Sequence, residues 1–275
     1  MSELKDQRAI EPAALSPAAV KQCCAAVYGS DAAKLILGDS LHPGGSELTE
    51  RLSAMLSLRP RMRVLDVAAG RGASALMMAR RFGCDAIGLD LSWRNTDAAR
   101  RAVSEASLGA QIMLCCGDAE RLPFADGCVD AIICECALCT FPDKRAAAAE
   151  FARVLRPGGR LGLSDLTRQG SLPAELAGLA GWIGCVADAQ PLAHYAALLA
   201  AAGLQVTATQ EHDDALIDFV NRIRTRLLVA EVAAGLNKVS LPGFDIAKVK
   251  DFARHALNAI RAGNISYAVL IAAKP

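Results

Sequence analysis

Apolar residues recur at helical spacing near the start of the chain and then change rhythm. Ser16-Pro17 reads as the cap and first turn of a helix running to about Tyr28, where Gly29 stops it. A second short helix over 32–37 ends at Gly38, His42-Pro43-Gly44-Gly45 forms a turn, and 46–56 is helical. From Met62 onward, short apolar runs alternate with helical stretches. Strands are predicted over 63–67, 85–90, 111–116, 129–134 and 160–166, with helices over 73–82, 96–106 and 145–155. This alternation means βαβ units, an α/β class, and a parallel sheet covered on both faces and wound by right-handed crossovers.

A helix over 191–202 and a strand over 204–209 follow. A long insertion, about 212–263, then separates them from a last strand over 265–272, expected at the sheet edge. Within the insertion Leu216, Phe219, Val220, Ile223 and Leu227 share one helical face. Ile246, Val249, Ala253, Leu257 and Ile260 share another, and Leu241-Pro242-Gly243 divides the two. The expectation is a pair of helices packed on the sheet or on each other, with Arg222, Arg224 and Arg226 in solvent. The chain thus divides into an N-terminal helical cap, 1–58, and a main domain, 59–275.

Composition narrows the partners. A net charge of +1 and 4% aromatic residues leave no broad nucleic-acid footprint. The most apolar stretches, near 176–187 and 196–206, fall short of the roughly 18 residues that mark a membrane span. Residues 1–12 are polar and of mixed charge, without a secretory core. A cytoplasmic protein without nucleic-acid or membrane partners is expected. Its ten cysteines, at 23, 24, 84, 115, 116, 128, 134, 136, 139 and 185, then read as thiols rather than a disulfide framework.

Asp66-Val67-Ala68-Ala69-Gly70-Arg71-Gly72 ends the first strand of this alternating region and opens a helix, a turn that lets a ligand approach backbone and helix N-terminus closely. Asp90 ends the next strand, 24 residues after Asp66, where a carboxylate can accept two ribose hydroxyls. With Gly117-Asp118-Ala119-Glu120-Arg121-Leu122-Pro123-Phe124 and Leu155-Arg156-Pro157-Gly158-Gly159-Arg160, these segments resemble, in order and spacing, the class I S-adenosylmethionine-dependent methyltransferase family. The family's first motif is acidic-x-Gly-x-Gly-x-Gly, and Ala68 departs from it. The resemblance implies a Rossmann-like seven-stranded fold with an antiparallel last strand, and S-adenosylmethionine as cofactor. It implies a binding set of Tyr28, Asp66, Ala68, Gly70, Asp90, Leu91, Asp118, Ala119 and Cys134, with Asp118 and Ala119 at the adenine.

A C-x-C-x-x-C run, Cys134 to Cys139, leaves the predicted fourth strand of the alternating region where such sheets bind ligands. If Cys136 faces the pocket, strand alternation puts Cys134 on the same side and Glu135 on the other. Cys136-Ala137-Leu138-Cys139-Thr140-Phe141-Pro142-Asp143-Lys144 is similar to the arsenite methyltransferase segment Cys-Val-Leu-Asn-Leu-Val-Pro-Asp-Lys. Ser164-Asp165-Leu166, Leu172-Pro173-Ala174-Glu175 and Trp182-Ile183-Gly184-Cys185-Val186-Ala187-Asp188-Ala189 are similar to that family's stretch around its second arsenic-binding cysteine. Tyr28-Gly29 resembles the N-terminal Tyr-Gly that covers the cofactor. The resemblance implies Cys136 and Cys185 as substrate thiolates for As(III), with Cys139, Cys24 or Cys23 as a third.

The implied activity is methylation of arsenite by in-line attack of the As(III) lone pair on the cofactor methyl. Soft thiolates suit such a nucleophile, no general base is required, and a thiol such as glutathione or thioredoxin serves as reductant. The alternatives are methylation of an organic small molecule, with Glu135, His42 or His194 as base, and a thiol or metalloid sensor without turnover.

Overall fold

The structure, a computed structural model, describes residues 16–38, 41–235 and 245–275. The predicted Leu241-Pro242-Gly243 break and the residues before 16 lie outside them. The helices α1 (Pro17–Tyr28), α2 (Asp31–Leu37) and α3 (Gly45–Met55) precede the sheet. Ser16 caps α1 and Ser30 caps α2, each side chain accepting a first-turn backbone N–H.

Then follow β1 (Arg63–Val67), α4 (Ala73–Phe82), β2 (Asp85–Asp90), α5 (Trp93–Glu105), β3 (Ile112–Cys116), β4 (Val129–Glu135), α6 (Lys144–Val154) and β5 (Leu155–Arg168). The chain closes with α7 (Gly178–Ile183), α8 (Leu192–Ala201), β6 (Gln205–Glu211), α9 (Asp213–Gly235), α10 (Ile246–Arg261) and β7 (Ile265–Ala273). Helix α5 begins three residues before its predicted start because the Ser92 hydroxyl accepts the Asn95 N–H. Strand β5 begins earlier than predicted because the Pro157-Gly158-Gly159 turn joins the ladder, exchanging bonds with Lys274.

The strands form one seven-stranded sheet of order β3-β2-β1-β4-β5-β7-β6. β1 to β5 pair in parallel, and β7 pairs antiparallel with both β5 and β6. The last strand is therefore not at the edge. It is buried along its length, from Tyr267 through Ala272, as an interior strand must be. β6 alternates between exposed and half-buried residues and takes the edge.

Val64, Ala131 and Ile133 bury into one face with Leu52 and Leu56 of α3, Met78 of α4 and Leu257 and Ile260 of α10. Leu65, Val67, Ile132 and Cys134 bury into the other with Phe151 of α6 and Tyr195 and Leu199 of α8. Each such large apolar side chain contributes roughly 1.5–3 kcal/mol on burial. Helices α9 and α10 pack on each other and on β7, and α9 also meets α2. There the expectation for Arg226 fails: its guanidinium donates to the Ile36 carbonyl (3.1 Å) at the end of α2, while Arg222 and Arg224 stay exposed.

Candidate active site

The cleft opens at the carboxyl ends of β1, β2 and β4, where the strand order reverses. Its lining includes Lys21, Cys24, Tyr28, Ala68, Gly70, Asp90, Leu91, Glu135 and Cys136. Ala68 takes the left-handed conformation (φ +58°) and Gly70 does the same (φ +54°). The backbone geometry that the family reaches with glycine is kept here at Ala68, at a strain of about 1–2 kcal/mol.

Asp90 is buried and ties the two turns together. Its Oδ2 accepts the Gly70 N–H (2.8 Å), and its Oδ1 accepts the Ser92 N–H (2.7 Å) and the Asn95 side-chain amide (3.3 Å). Burial raises its pKa, against those hydrogen bonds. A carboxylate has about four acceptor sites, so capacity for a ligand hydroxyl remains. Asp66, also buried, has an Oδ2 without a hydrogen-bond partner. Burial, and then the neighbouring Glu135 and Asp90 charges, hold its pKa well above the ordinary carboxylate range.

The loop after β3 carries the residues expected at the adenine end. Asp118 is paired with Lys21 of α1 (2.7 Å), which also pairs with Glu120, and Ala119 is buried in the core. Neither Asp118 nor Ala119 is in the cleft lining, whereas Lys21 is. Sequence reasoning missed Lys21. Its only signal is a basic residue on α1 facing an acidic pair about a hundred positions downstream.

The thiols converge from three segments. Cys136 follows β4 in a left-handed conformation (φ +51°), Cys139 sits in a single 3-10 turn (Leu138–Thr140), and Cys185 follows α7, also left-handed (φ +64°). Left-handed non-glycine residues are uncommon, and three of the six among the described residues lie in or beside this cleft. The strand-alternation argument fails because the strand stops at Glu135. The left-handed turn brings Glu135 and Cys136 to the same cleft and leaves Cys134 fully buried in the core of the opposite sheet face, where its side chain cannot meet a cofactor.

Cys185 Sγ donates to the Cys136 carbonyl at 3.8 Å, and the Cys136 and Cys139 side chains lie near it. Those side chains, with a smaller contribution from Tyr28 and against the cost of burial, hold it well below the ordinary thiol range. The Tyr28 hydroxyl donates to the Ile183 carbonyl (2.6 Å) and lies 3.1 Å from Cys185 Sγ. Burial, first of all, pushes Cys139 up. Cys24 lines the cleft, and burial pushes it up to about 12. Cys23 is half-buried and is not in the lining. Among the described residues no group of three or more His, Cys, Asp or Glu is arranged around a metal-ion position.

Glu135 forms a second polar cluster. It accepts from Ser74 (2.8 Å) and Thr49 (3.0 Å), and His42 Nε2 lies 3.6 Å from its Oε2. His194, by contrast, is exposed on α8.

The methyltransferase-domain family pattern matches residues 65–163, from β1 into β5. Over those residues the chain is similar to methyltransferase domains. Over 171 residues the chain is 33% identical to methyltransferase GfsG of Streptomyces halstedii, covering 61% of this chain and 62% of that one. It is 29% identical over 164 residues to an arsenite methyltransferase of Halobacterium salinarum, covering 58% and 42%. Three further relatives are named O-methyltransferases. The chain spans about half the length of the curated relatives it matches.

The crystal structure of a putative sarcosine dimethylglycine methyltransferase from Galdieria sulphuraria superposes with a TM-score of 0.74 at 23% identity, covering 84% of this chain and 85% of that one. The fold is the seven-stranded methyltransferase fold, and S-adenosylmethionine is the cofactor that the sequence resemblance implies. The residues present fit that group. Asp90 has spare acceptor sites for ribose hydroxyls, Asp66 keeps a buried oxygen without a hydrogen-bond partner, and Ala68 and Gly70 line the cleft in left-handed turns. No helix among the described residues is long and apolar enough to cross a membrane.

Proposed function

We propose that this methyltransferase domain transfers a methyl group to trivalent arsenic held by Cys136 and Cys185. The observation that carries the reading is the approach of Cys185, at the end of α7, to Cys136 in the turn after β4 at the cleft: Cys185 Sγ lies 3.8 Å from the Cys136 carbonyl oxygen. S-adenosylmethionine supplies an electrophilic methyl group, and thiolate-bound As(III) supplies the lone pair that accepts it. Arsenic is formally oxidised by two electrons, and a thiol such as glutathione or thioredoxin returns them. The chain's own part is to bind, orient and exclude water. Tyr28, anchored to Ile183, covers both the cleft and the Cys185 sulfur. A reducing, cytoplasmic setting keeps the cysteines as thiols.

The test is methyl transfer from labelled S-adenosylmethionine to arsenite with glutathione. Wild-type turnover is expected, falling at least a hundredfold in Cys136→Ser and in Cys185→Ser while cofactor affinity stays within twofold. Cofactor binding without arsenite methylation sinks the reading. A second reading, methylation of an organic hydroxyl, then takes its place. It is favoured by the 3.6 Å approach of His42 to Glu135, a base at the cleft wall.

A further inference from the structure

The cleft wall carries an acid that the cofactor turns do not account for. The β1–β4 register pairs Asp66 with Ile133 and Val67 with Cys134, so Ala68 and Glu135 follow side by side at the carboxyl ends of the two strands. Both line the cleft. The Glu135 side chain is only 4% exposed. Ser74, in the first turn of α4, donates to its Oε2 at 2.8 Å, and the Thr49 hydroxyl of α3 lies 3.1 Å from Oε1 and 3.0 Å from Oε2. The carboxylate is thereby fixed at the start of α4, where the helix dipole favours negative charge. His42 Nε2 approaches to 3.6 Å, and among the described residues no lysine or arginine pairs with Glu135.

Burying a carboxylate costs free energy that two hydroxyls offset only in part, so a buried acid at a ligand cleft favours a positive ligand. Among the described residues that line the cleft, Lys21 is the only lysine or arginine, and Asp118 and Glu120 already engage it. S-adenosylmethionine carries two positive charges, an ammonium and a sulfonium. An ammonium donates hydrogen bonds and needs a free acceptor, which the unpartnered Oδ2 of Asp66 offers. A sulfonium has no N–H or O–H to donate and responds only to charge. Glu135, with both oxygens already contacted by hydroxyls, offers charge rather than an empty acceptor. Such a charge acts without contact and reaches further through a protein wall than through water.

We propose that Glu135 is a specificity-determining residue of the cofactor cleft, the fixed negative charge that favours the sulfonium of S-adenosylmethionine over the neutral thioether of S-adenosylhomocysteine. In transfer the carbon–sulfur bond breaks, its electron pair stays on sulfur, and the acceptor's lone pair forms the new bond to carbon. The positive charge thus leaves the sulfur with the methyl group. Glu135 holds the donor and loses its hold on the spent product, which favours exchange. This role depends on the cofactor alone and is the same for an arsenic or an organic acceptor.

Calorimetry on the full chain, with no acceptor present, measures the two affinities. Glu135→Gln should weaken S-adenosylmethionine about thirtyfold and leave S-adenosylhomocysteine within about threefold. Equal weakening of both ligands assigns Glu135 to the shared ammonium or to packing, and overturns the proposal. Sinefungin, with a protonated amine in place of the methyl sulfonium, tests the same charge on wild type alone. It should bind wild type more tightly than S-adenosylhomocysteine does. Equal or weaker binding overturns the proposal, even where Glu135→Gln does not fold. Wild type that binds none of the three ligands overturns the cofactor assignment itself, and arsenite methylation is read in a separate assay.

Discussion

On the cofactor side of the cleft, Ala68, Gly70, Asp90 and Leu91 come from two adjacent βα turns, and Asp90 bonds amides of both. On the thiol side, Cys136 and Cys139 leave β4, Cys185 follows the six-residue α7, and Tyr28 reaches its sulfur from a position 157 residues away. The first side is fixed by strand pairing and one buried carboxylate. The second exists only when α1 and α7 are docked, and Asp165 and Tyr28 hold its parts in place. The two sides therefore rest on separable supports, and each prediction below tests that separation.

The largest expected effect belongs to the thiol side. Burial raises Asp165 from an ordinary 3.8 to about 7, with its hydrogen bonds to Cys139 opposing the shift. Between those values the folded chain holds a proton that the unfolded chain has released. Stability therefore falls as pH rises through that window, and the full penalty is present above it. The penalty is up to about 4 kcal/mol. Asp66 adds in the same sense. Denaturant titrations from pH 4 to 7 should show a shallower decline in Asp165→Asn than in wild type, and parallel curves would remove Asp165 as the source.

Next in size is Asp90→Ala, which leaves the Gly70 and Ser92 amides without their acceptor. A loss of about 2–3 kcal/mol, on the order of a hundredfold in S-adenosylmethionine affinity, is expected by calorimetry. Arsenite capture by the thiols should stay within twofold. A matching fall there would break the separation of the two sides.

Smallest is Ala68→Gly. It relieves the left-handed alanine, and the gain is partly cancelled by glycine's greater freedom in the unfolded chain. A net gain of about 0.5 kcal/mol, or about 1–2 °C in Tm, is expected. A lower Tm would show that the Ala68 methyl contributes more by packing than its backbone costs.

The element order was legible because periodicity reports local burial. β1, α4 and β2 fall where the apolar runs and glycines put them, and Ser16 caps α1 as its sequence indicates. Position within the sheet was less legible. The last strand reads as apolar, but order and edge are set by which strands meet, and β7 lies between β5 and β6. In the site, Gly70, Asp90 and Leu91, which line the cleft, could be named from two short motifs. The pairing of Asp118 and the burial of Cys134 could not, because a helix 97 residues upstream brings Lys21 to the first and a left-handed turn ends the alternation assumed at the second.

The sequence by itself determined the α/β class, the cofactor turn and the candidacy of Cys136 and Cys185, since each is written in short-range spacing or in motif. Only the tertiary structure decided that Glu135 and Cys136 share the cleft, that Lys21 lines it paired with Asp118, and that Tyr28 meets the Cys185 sulfur. Those properties depend on burial and on hydrogen bonds between segments far apart in the chain, and no local pattern encodes a distance across the fold.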